Sequence, residues 1–456
     1  MTTAPRVPRV PRVPRAVQAP TASALRPKAV ARTGLYAFCA ANALVVAVLF
    51  VQGGFASNAL IVLGRLAGLY GALFMAFQLL LVARLPWLDR RIGMDRLTSW
   101  HRWTGFGVLW TLLAHVVLIS FGYAQGSSLD PLNQLIDLAE TVEGVLRALV
   151  AFVLLIVIGG VSARAARRRL AYETWHFIHL YTYVAVVLAF THQVAAGTSF
   201  TSSSWGTAYW YTLWGAALAA VFTGRLALPL WRNLRHRLRV SAVVPENEHV
   251  VSVYVTGRDL DRLPARAGQF FLWRFLTRDR WWQANPFSLS AAPDGRTLRL
   301  TVKTAGDGTA AIRHLKPGTR VFAEGPYGAF TAMHRTRPDA LLIAGGVGVT
   351  PIRALLEELP GHAVVVYRVT AERDAVLHDE LRDLAAARGA ELHLVTGPPV
   401  PDRLAPAELA RLVPDLADRD VFLCGPPPMM NAVLGTLREL DVPASQIHFE
   451  RFSLAG

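Results

Sequence analysis

Apolar positions along the first half of the chain fall into six unbroken runs of about 20 residues, at approximately 33–53, 58–83, 101–122, 144–162, 174–195 and 206–229. An α-helix needs that length to cross about 30 Å of hydrocarbon, so the pattern predicts six membrane-spanning helices. From about 240 the period shortens. β-Branched and aromatic runs at 250–255, 269–273 and 298–302 alternate with turn residues, which predicts a small antiparallel β-barrel. After Pro338, buried-strand runs at 340–343, 363–367, 391–395 and 420–423 alternate with helical stretches, the pattern of a parallel α/β sheet. The expected division is a disordered basic tail over 1–32, a six-helix transmembrane bundle over 33–230, an antiparallel barrel over 238–335 and an α/β parallel-sheet domain over 338–456. The tail carries a Pro-Arg-Val repeat from Pro5 to Arg15, which cannot bury a core.

Charge then fixes an expected orientation. The net charge of +15 would suit a nucleic-acid binder, but residues 1–239 hold 23 basic and 7 acidic residues and residues 240–456 hold 24 and 25. The excess belongs to the apolar half, so a nucleic-acid surface is excluded and a lipid bilayer is the expected partner. Basic residues fill the second-to-third connection (Arg84, Arg90, Arg91, Arg96), the fourth-to-fifth (Arg164, Arg167, Arg168, Arg169) and the exit (Arg232, Arg235, Arg237, Arg239). The connections 54–57, 123–143 and 196–205 contain no Lys or Arg, and 123–143 is acidic. Lys and Arg stay on the cytoplasmic side of a span, which places both termini and the soluble domains there, in the cell membrane. Cys39 and Cys424 are the only cysteines, so a disulfide framework is excluded.

Ionisable residues inside spans point to function. His101 and His115 lie 14 residues apart on the third expected span, and His179 and His192 lie 13 apart on the fifth. At about 1.5 Å per residue, both separations are roughly 20 Å along the helix. The two spans run in the same direction, so His101 meets His179 at an inner depth and His115 meets His192 at an outer one. Facing imidazoles across a bundle are axial ligands for a b-type haem iron, giving two haems. His176, a turn nearer the cytoplasm, competes with His179 for the inner site. Thirteen residues at about 100° leave His179 and His192 some 140° apart on an ideal helix, which calls for a local distortion between them or for different side-chain rotamers. Arg65 is the candidate to bind a haem propionate or the acceptor, with snorkelling to the interface as the alternative.

In the soluble half, Asn285-Pro286-Phe287-Ser288-Leu289-Ser290 ends a strand, Gly306-Asp307-Gly308-Thr309 precedes a short helix, and Gly325-Pro326-Tyr327-Gly328 makes a tight turn. Ala344-Gly345-Gly346-Val347-Gly348-Val349-Thr350-Pro351 links a strand to a helix, and Cys424-Gly425-Pro426-Pro427 closes a later strand. In this order the motifs resemble the ferredoxin-NADP reductase type of flavoprotein, while the membrane half resembles the ferric reductase transmembrane domain shared with NADPH oxidases. Together the resemblances cover about residues 35–455. They imply FAD on Asn285, Pro286, Phe287, Ser288 and Leu289, its pyrophosphate on Gly308 and Thr309, and the nicotinamide dinucleotide on Gly345, Gly346, Gly348, Thr350 and Pro351. Cys424, Gly425 and Pro426 would lie beside the nicotinamide, and Phe452 resembles the C-terminal aromatic that covers the flavin. The family usually has His or Arg where this chain has Asn285, which predicts weaker FAD retention. Arg368, after the second strand of the nucleotide domain, could recognise a 2′-phosphate and favours NADPH over NADH.

The resemblance implies an NAD(P)H-dependent transmembrane oxidoreductase that passes electrons through FAD and two b-type haems to an outer acceptor, ferric chelate or dioxygen. The alternative is a membrane cytochrome b partner that reduces a specific extracytoplasmic protein docked on the acidic 123–143 loop. A non-catalytic scaffold with a degenerate reductase module is a third reading, which the two histidine pairs and the Cys-Gly-Pro-Pro loop argue against.

Overall fold

The computed structural model describes residues 25–163, 169–170, 172–201, 203–304, 307–397 and 404–451. Among them, six helices are long and apolar enough to cross a membrane: Arg32–Gln52, Ala59–Val82, Arg96–Ala124, Val145–Ser162, Thr174–Ala196 and Ser204–His236. The first belongs to a longer helix, α1 (Leu25–Gln52), which begins inside the stretch expected to be tail. Alanine, arginine and lysine are strong helix formers, so nothing in that stretch stops the helix at the edge of the apolar run.

Helix α2 (Ala59–Val82) is followed by a short connector helix, α3 (Pro86–Ile92), and then by α4 (Met94–Ala124). Glycines bring α2 and α4 together. A Cβ on Gly64 would lie 2.9 Å from the Ile119 side chain, one on Gly68 2.7 Å from His115 Nδ1, and one on Gly71 3.0 Å from Leu112. Small residues at this spacing let membrane helices approach closely, because dispersion and not water exclusion drives their association. The acidic 123–143 connection forms a helix of its own, α5 (Pro131–Thr141), whose Asp130 cap accepts from the Leu132 and Asn133 amides at 3.0 and 3.2 Å. Helix α6 (Val145–Ser162) packs on α4 where Gly159 meets Leu109.

The fifth span is broken. Helix α7 (Tyr172–Leu180) and helix α8 (Thr182–Ala196) meet at Tyr181, whose amide donates to Ile178 three residues back (3.1 Å). Each residue of such a tight turn rotates about 120° rather than 100°, which swings His192 back toward the face of His179. The sixth span comprises α9 (Ser204–Phe222), a π-turn at Thr223–Ala227 and α10 (Leu228–His236), with Pro229 in the first turn of the last helix.

Beyond the bundle, strands β1 (Arg239–Pro245), β2 (Val250–Thr256) and β5 (Thr297–Lys303) form one antiparallel sheet in the order β1-β2-β5. Strands β3 (Phe270–Phe275), β4 (Asn285–Ser288) and β6 (Val321–Tyr327) form another in the order β4-β3-β6. The expected barrel is not closed. Two isolated bridges, Arg239 to Arg320 and Leu289 to Leu300, link these strands outside the ladders. The strands are short, four to seven residues each, and β1 and β3 carry register shifts at Val240/Ala242 and Phe270/Leu272 that bend them locally. Phe271, Trp273, Phe275, Leu289 and Leu300 fill the space between the sheets.

The last domain is a five-stranded parallel sheet in the order β11-β10-β7-β8-β9, built from β7 (Asp339–Gly345), β8 (Ala363–Arg368), β9 (Glu391–Val395), β10 (Arg419–Cys424) and β11 (Ile447–Glu450). Strand order reverses between β7 and β10, so the crevice of this fold opens at their carboxyl ends. A buried ion network ties the two soluble parts together: Arg299 and Arg353, on opposite sides of the junction, both bind Glu380 at 2.8 and 2.6 Å, and Arg353 also binds Glu357 at 2.6 Å.

The soluble part grips the bundle through α3, α10 and the loop before α3. Arg84 and Arg274 both pair with Glu324 on β6, the former at 2.7 Å. The buried Asp89 carboxylate accepts from the Gly328 amide (2.9 Å), His334 Nε2 is 2.9 Å from the Arg90 carbonyl, and Asn233 exchanges two hydrogen bonds with the Ala323 backbone (2.8 and 2.9 Å).

Candidate functional site

The two histidine pairs face each other at two depths. The ring centroids of His101 and His179 are 6.1 Å apart, and those of His115 and His192 are 6.5 Å apart. Two metal–nitrogen bonds of about 2 Å, plus the half-width of an imidazole at each end, add up to roughly 6 Å. Among the described residues no group of three or more His, Cys, Asp and Glu could hold a metal ion. Each imidazole pair offers two nitrogen donors at a separation that fits one metal ion between them.

The rings are oriented unequally. His115 Nδ1–H donates to the Gly64 carbonyl (2.8 Å), which directs the Nε2 lone pair away from α2. His179 Nδ1 is 3.4 Å from Ser162 Oγ, which accepts from Trp175 Nε1 (3.2 Å), and the Trp175 ring stacks on His179 at 5.1 Å. In each pair the other ring, His101 or His192, is half-buried, yet its Nδ1 is fully buried without a hydrogen-bond partner among the described residues. His176 is not in a pair; its charged neighbours are Arg225, Arg84, Arg274 and Glu324, which places it toward the soluble part. The His101–His179 pair is thus proximal to that part and the His115–His192 pair is distal.

Arg65 donates to the carbonyls of Gly53 (3.2 Å) and Gly54 (3.0 Å) and to Ser199 Oγ (2.8 Å), tying the first connection to the third on the distal side. Arg147, the other arginine on that side, is half-exposed and lies 3.5 Å from Glu143.

At the crevice of the parallel sheet two turns interlock. A Cβ on Gly348 would lie 2.2 Å from the Cys424 carbonyl oxygen, one on Gly425 3.1 Å from Gly345, and one on Gly345 2.9 Å from Pro426. Gly346 adopts φ +52°, which a side chain resists, and no atom stands within 4 Å of where its Cβ would be. The turn therefore presents bare backbone, followed by helix α11 (Val349–Glu358) with Thr350 and Pro351 buried in its first turn. Cys424 is wholly buried, and burial, with Glu450 adding to it, pushes its thiol well above the usual range, so it is no thiolate nucleophile. Arg368 ends β8 opposite Gly345, and its guanidinium donates to the carbonyls of Val369, Val395 (3.4 Å) and Gly397 (2.8 Å).

On β4, Pro286, Phe287 and Ser288 pair with Leu272, Phe271 and Phe270, and Trp273 Nε1 donates to the Phe287 carbonyl (3.0 Å). Ser288 Oγ is buried with no hydrogen-bond partner among the described residues, whereas Ser290 is engaged by Arg299 and Thr301. Leu289 points into the core, and Asn285 Nδ2 reaches only the Gln283 carbonyl (3.5 Å). Gly308 and Thr309 lie in the short helix Asp307–Ala310. Phe452 lies outside the described residues.

Residues 67–190 match the family described as ferric reductase like transmembrane component, and residues 342–434 match the oxidoreductase NAD-binding domain. The ferredoxin reductase component of a 3-ketosteroid-9-alpha-monooxygenase from Mycobacterium tuberculosis is 33% identical over 234 residues, which are 47% of this chain and 64% of that protein. The chain therefore spans just under two thirds of that relative's length. Ferredoxin-NADP reductase B of Sorangium cellulosum is 30% identical over 187 residues, 36% of this chain and 77% of that protein. The chain belongs to the ferredoxin-NADP reductases, joined here to a ferric reductase-like membrane domain.

A flavohemoprotein of Xylella fastidiosa is 27% identical over 316 residues, 64% of this chain and 79% of that protein. Within the ferric reductase-like domain, three of the four paired histidines fall inside the matched stretch, and His192 follows two residues after its end. Reading the sequence passed over two features of this reductase. The Gly64 and Gly68 spacing, which seats His115, was visible as a small-residue repeat. Arg225 was visible as a charge near the end of the sixth run.

Proposed function

We propose that the chain carries electrons from cytoplasmic NAD(P)H, through FAD and two b-type haems, to ferric chelate or dioxygen on the opposite side of the membrane. The observation that carries this reading is the pair of cross-helix imidazole contacts, 6.1 and 6.5 Å, in the same chain as the interlocked Gly345–Gly348 and Cys424–Gly425 turns. On this reading the bundle is 33–230, the flavin domain 238–335 and the nucleotide domain 338–456. When bound, the flavin accepts a hydride and the haem irons pass single electrons, chemistry that no side chain supplies.

The side chains hold and orient. His101 with His179, and His115 with His192, present nitrogen lone pairs to the two irons, and the Gly64 carbonyl keeps His115 in the required tautomer. Ser288, with its unpartnered hydroxyl, faces the flavin together with Pro286 and Phe287, Leu289 backs them from the core, and Gly308 and Thr309 take the pyrophosphate side. The bare backbone at Gly345, Gly346 and Gly348 admits the dinucleotide phosphates, with Thr350 and Pro351 opening the helix behind them. Cys424, Gly425 and Pro426 wall the nicotinamide side. Arg368 stands one strand away, where replacing it by alanine should lower the preference for NADPH over NADH. The basic connections keep the reductase cytoplasmic, so electrons leave while protons stay and turnover is electrogenic.

Purified full-length protein tests the reading. A split b-type haem spectrum that NADPH reduces in the presence of FAD is expected, and its absence ends the proposal. Reoxidation of the reduced haems by air, by ferric chelate or by an extracytoplasmic protein fraction then ranks the acceptors.

A further inference from the structure

Arg225 sits on the π-turn of the sixth span, a helix irregularity that is frequent at functional sites. Its Nε donates to the Val82 carbonyl at the end of α2 (2.7 Å), its one recorded hydrogen bond among the described residues. The neighbouring Gly224 is pressed so closely on α2 that a Cβ there would lie 1.9 Å from the Ala83 oxygen, so the backbone carrying Arg225 has little room to shift. With Nε occupied, the two terminal nitrogens of the guanidinium form an open fork. Gln78, one turn before Val82 on α2, donates to the His101 carbonyl (2.8 Å), so Arg225 and His101 meet the same end of that helix. Arg225 acts electrostatically on both His101 and His179, and its own charged or polar neighbours include Arg84, Tyr183, Tyr327 and Glu324.

The charges there do not balance. Arg84, Arg225 and Arg274 contribute three positive charges against the one negative charge of Glu324, which already pairs with both Arg84 and Arg274. The next carboxylate, Asp89, is turned to the Gly328 amide (2.9 Å). Excess cation at the edge of the hydrocarbon is costly unless an anion joins it.

We propose that Arg225, backed by Arg84, binds the carboxylates of the group held between His101 and His179, and so positions that group and tunes its affinity for an electron. This rests on the haem reading above. A haem carries two propionates, anions of the kind that an excess of positive charge at this depth would hold. The same fork would also accept a phospholipid phosphate; that source is disfavoured because Arg225 interacts with both imidazoles of the pair.

The test uses the full chain in detergent, with haem counted as the pyridine complex, both haem potentials titrated and bound phospholipid measured as phosphorus. Arg225→Gln should either remove one haem of two or lower one potential by at least about 59 mV, the one-electron equivalent of a tenfold change. The other haem should stay unmoved, and Arg225→Lys should restore more than half of the shift. If Arg225→Gln does not accumulate, Arg84→Gln must move the same haem. Two unmoved haems overturn the inference, as does loss of bound phosphorus with both haems unchanged. Wild-type protein without haem would instead sink the reading on which the inference rests.

Discussion

The two imidazole pairs lie on the same two spans at nearly the same separation, 6.1 and 6.5 Å, yet different materials hold them. The distal pair is set by packing and backbone: His115 lies against Gly68 and hangs from the Gly64 carbonyl, while Arg65 is committed to two carbonyls and a serine. The proximal pair has Arg225 as its arginine neighbour, and Arg225 in turn neighbours Arg84 and Glu324, which join Arg274 in a cluster partly supplied by the reductase module. One end of the bundle is thus complete within the membrane, and the other depends on what docks against it. Changes at the docking surface should therefore reach the proximal pair alone, and changes in helix packing the distal pair.

The largest effect comes from the ligands themselves. His115→Leu and His101→Leu should each halve the haem content and abolish acceptor reduction, but only His101→Leu should stop electrons from entering the bundle. If NADPH still reduces the remaining haem equally in both variants, the two-step order is wrong. Next is Glu324→Gln at the docking surface. Breaking a buried pair costs about 3 kcal/mol, and here one carboxylate holds two guanidiniums. Reduction of the proximal haem should slow several-fold as docking loosens, and the distal potential should not move. A shift of the distal haem would erase the contrast between the ends.

Gly68→Ala works on the other end. Its Cβ would lie 2.7 Å from His115 Nδ1 on a packed helix face, and overpacking of that kind costs about 1–3 kcal/mol. Distal haem occupancy should fall, while the proximal haem and flavin reduction stay as they are. Equal loss at both sites would mean that the glycine serves the whole bundle.

The spans were legible because length alone decides them, and the four histidines because a titratable group in an apolar run stands out. Helix geometry asked for either a distortion between His179 and His192 or different rotamers; the structure has the distortion, at Tyr181, where no proline or glycine marks it. Barrel closure was overcalled: strand patterns show which residues alternate, not whether the edges of the two three-stranded sheets pair beyond isolated bridges. Helix α5 was overlooked although Asp130-Pro131 is a helix-start signal, because the acidic loop was read for charge. Arg225 escaped notice for a related reason. Its partners come from α2 and β6, about 140 and 100 residues away in sequence, and a net charge is a property of the assembled cluster.

The smallest effect concerns a site shaped by burial, with neither the docking of one pair nor the glycine packing of the other. Cys424 is fully buried at the end of β10, and burial, then Glu450, hold its thiol well above the usual value of about 8.5. For an acid whose pKa is raised on folding, the unfolded chain releases its proton first. The stabilisation is therefore whole below about pH 8.5 and is lost as pH rises through the folded value, at no more than about 1.4 kcal/mol per pH unit. Cys424→Ala adds a constant cavity cost but removes this slope, so the difference in stability between wild type and variant should shrink from pH 8 to pH 10. Denaturant titrations of the full chain in detergent at several pH values would measure it. Parallel curves would mean that the thiol reaches water through the crevice, and a crevice that open could not keep the nicotinamide side dry.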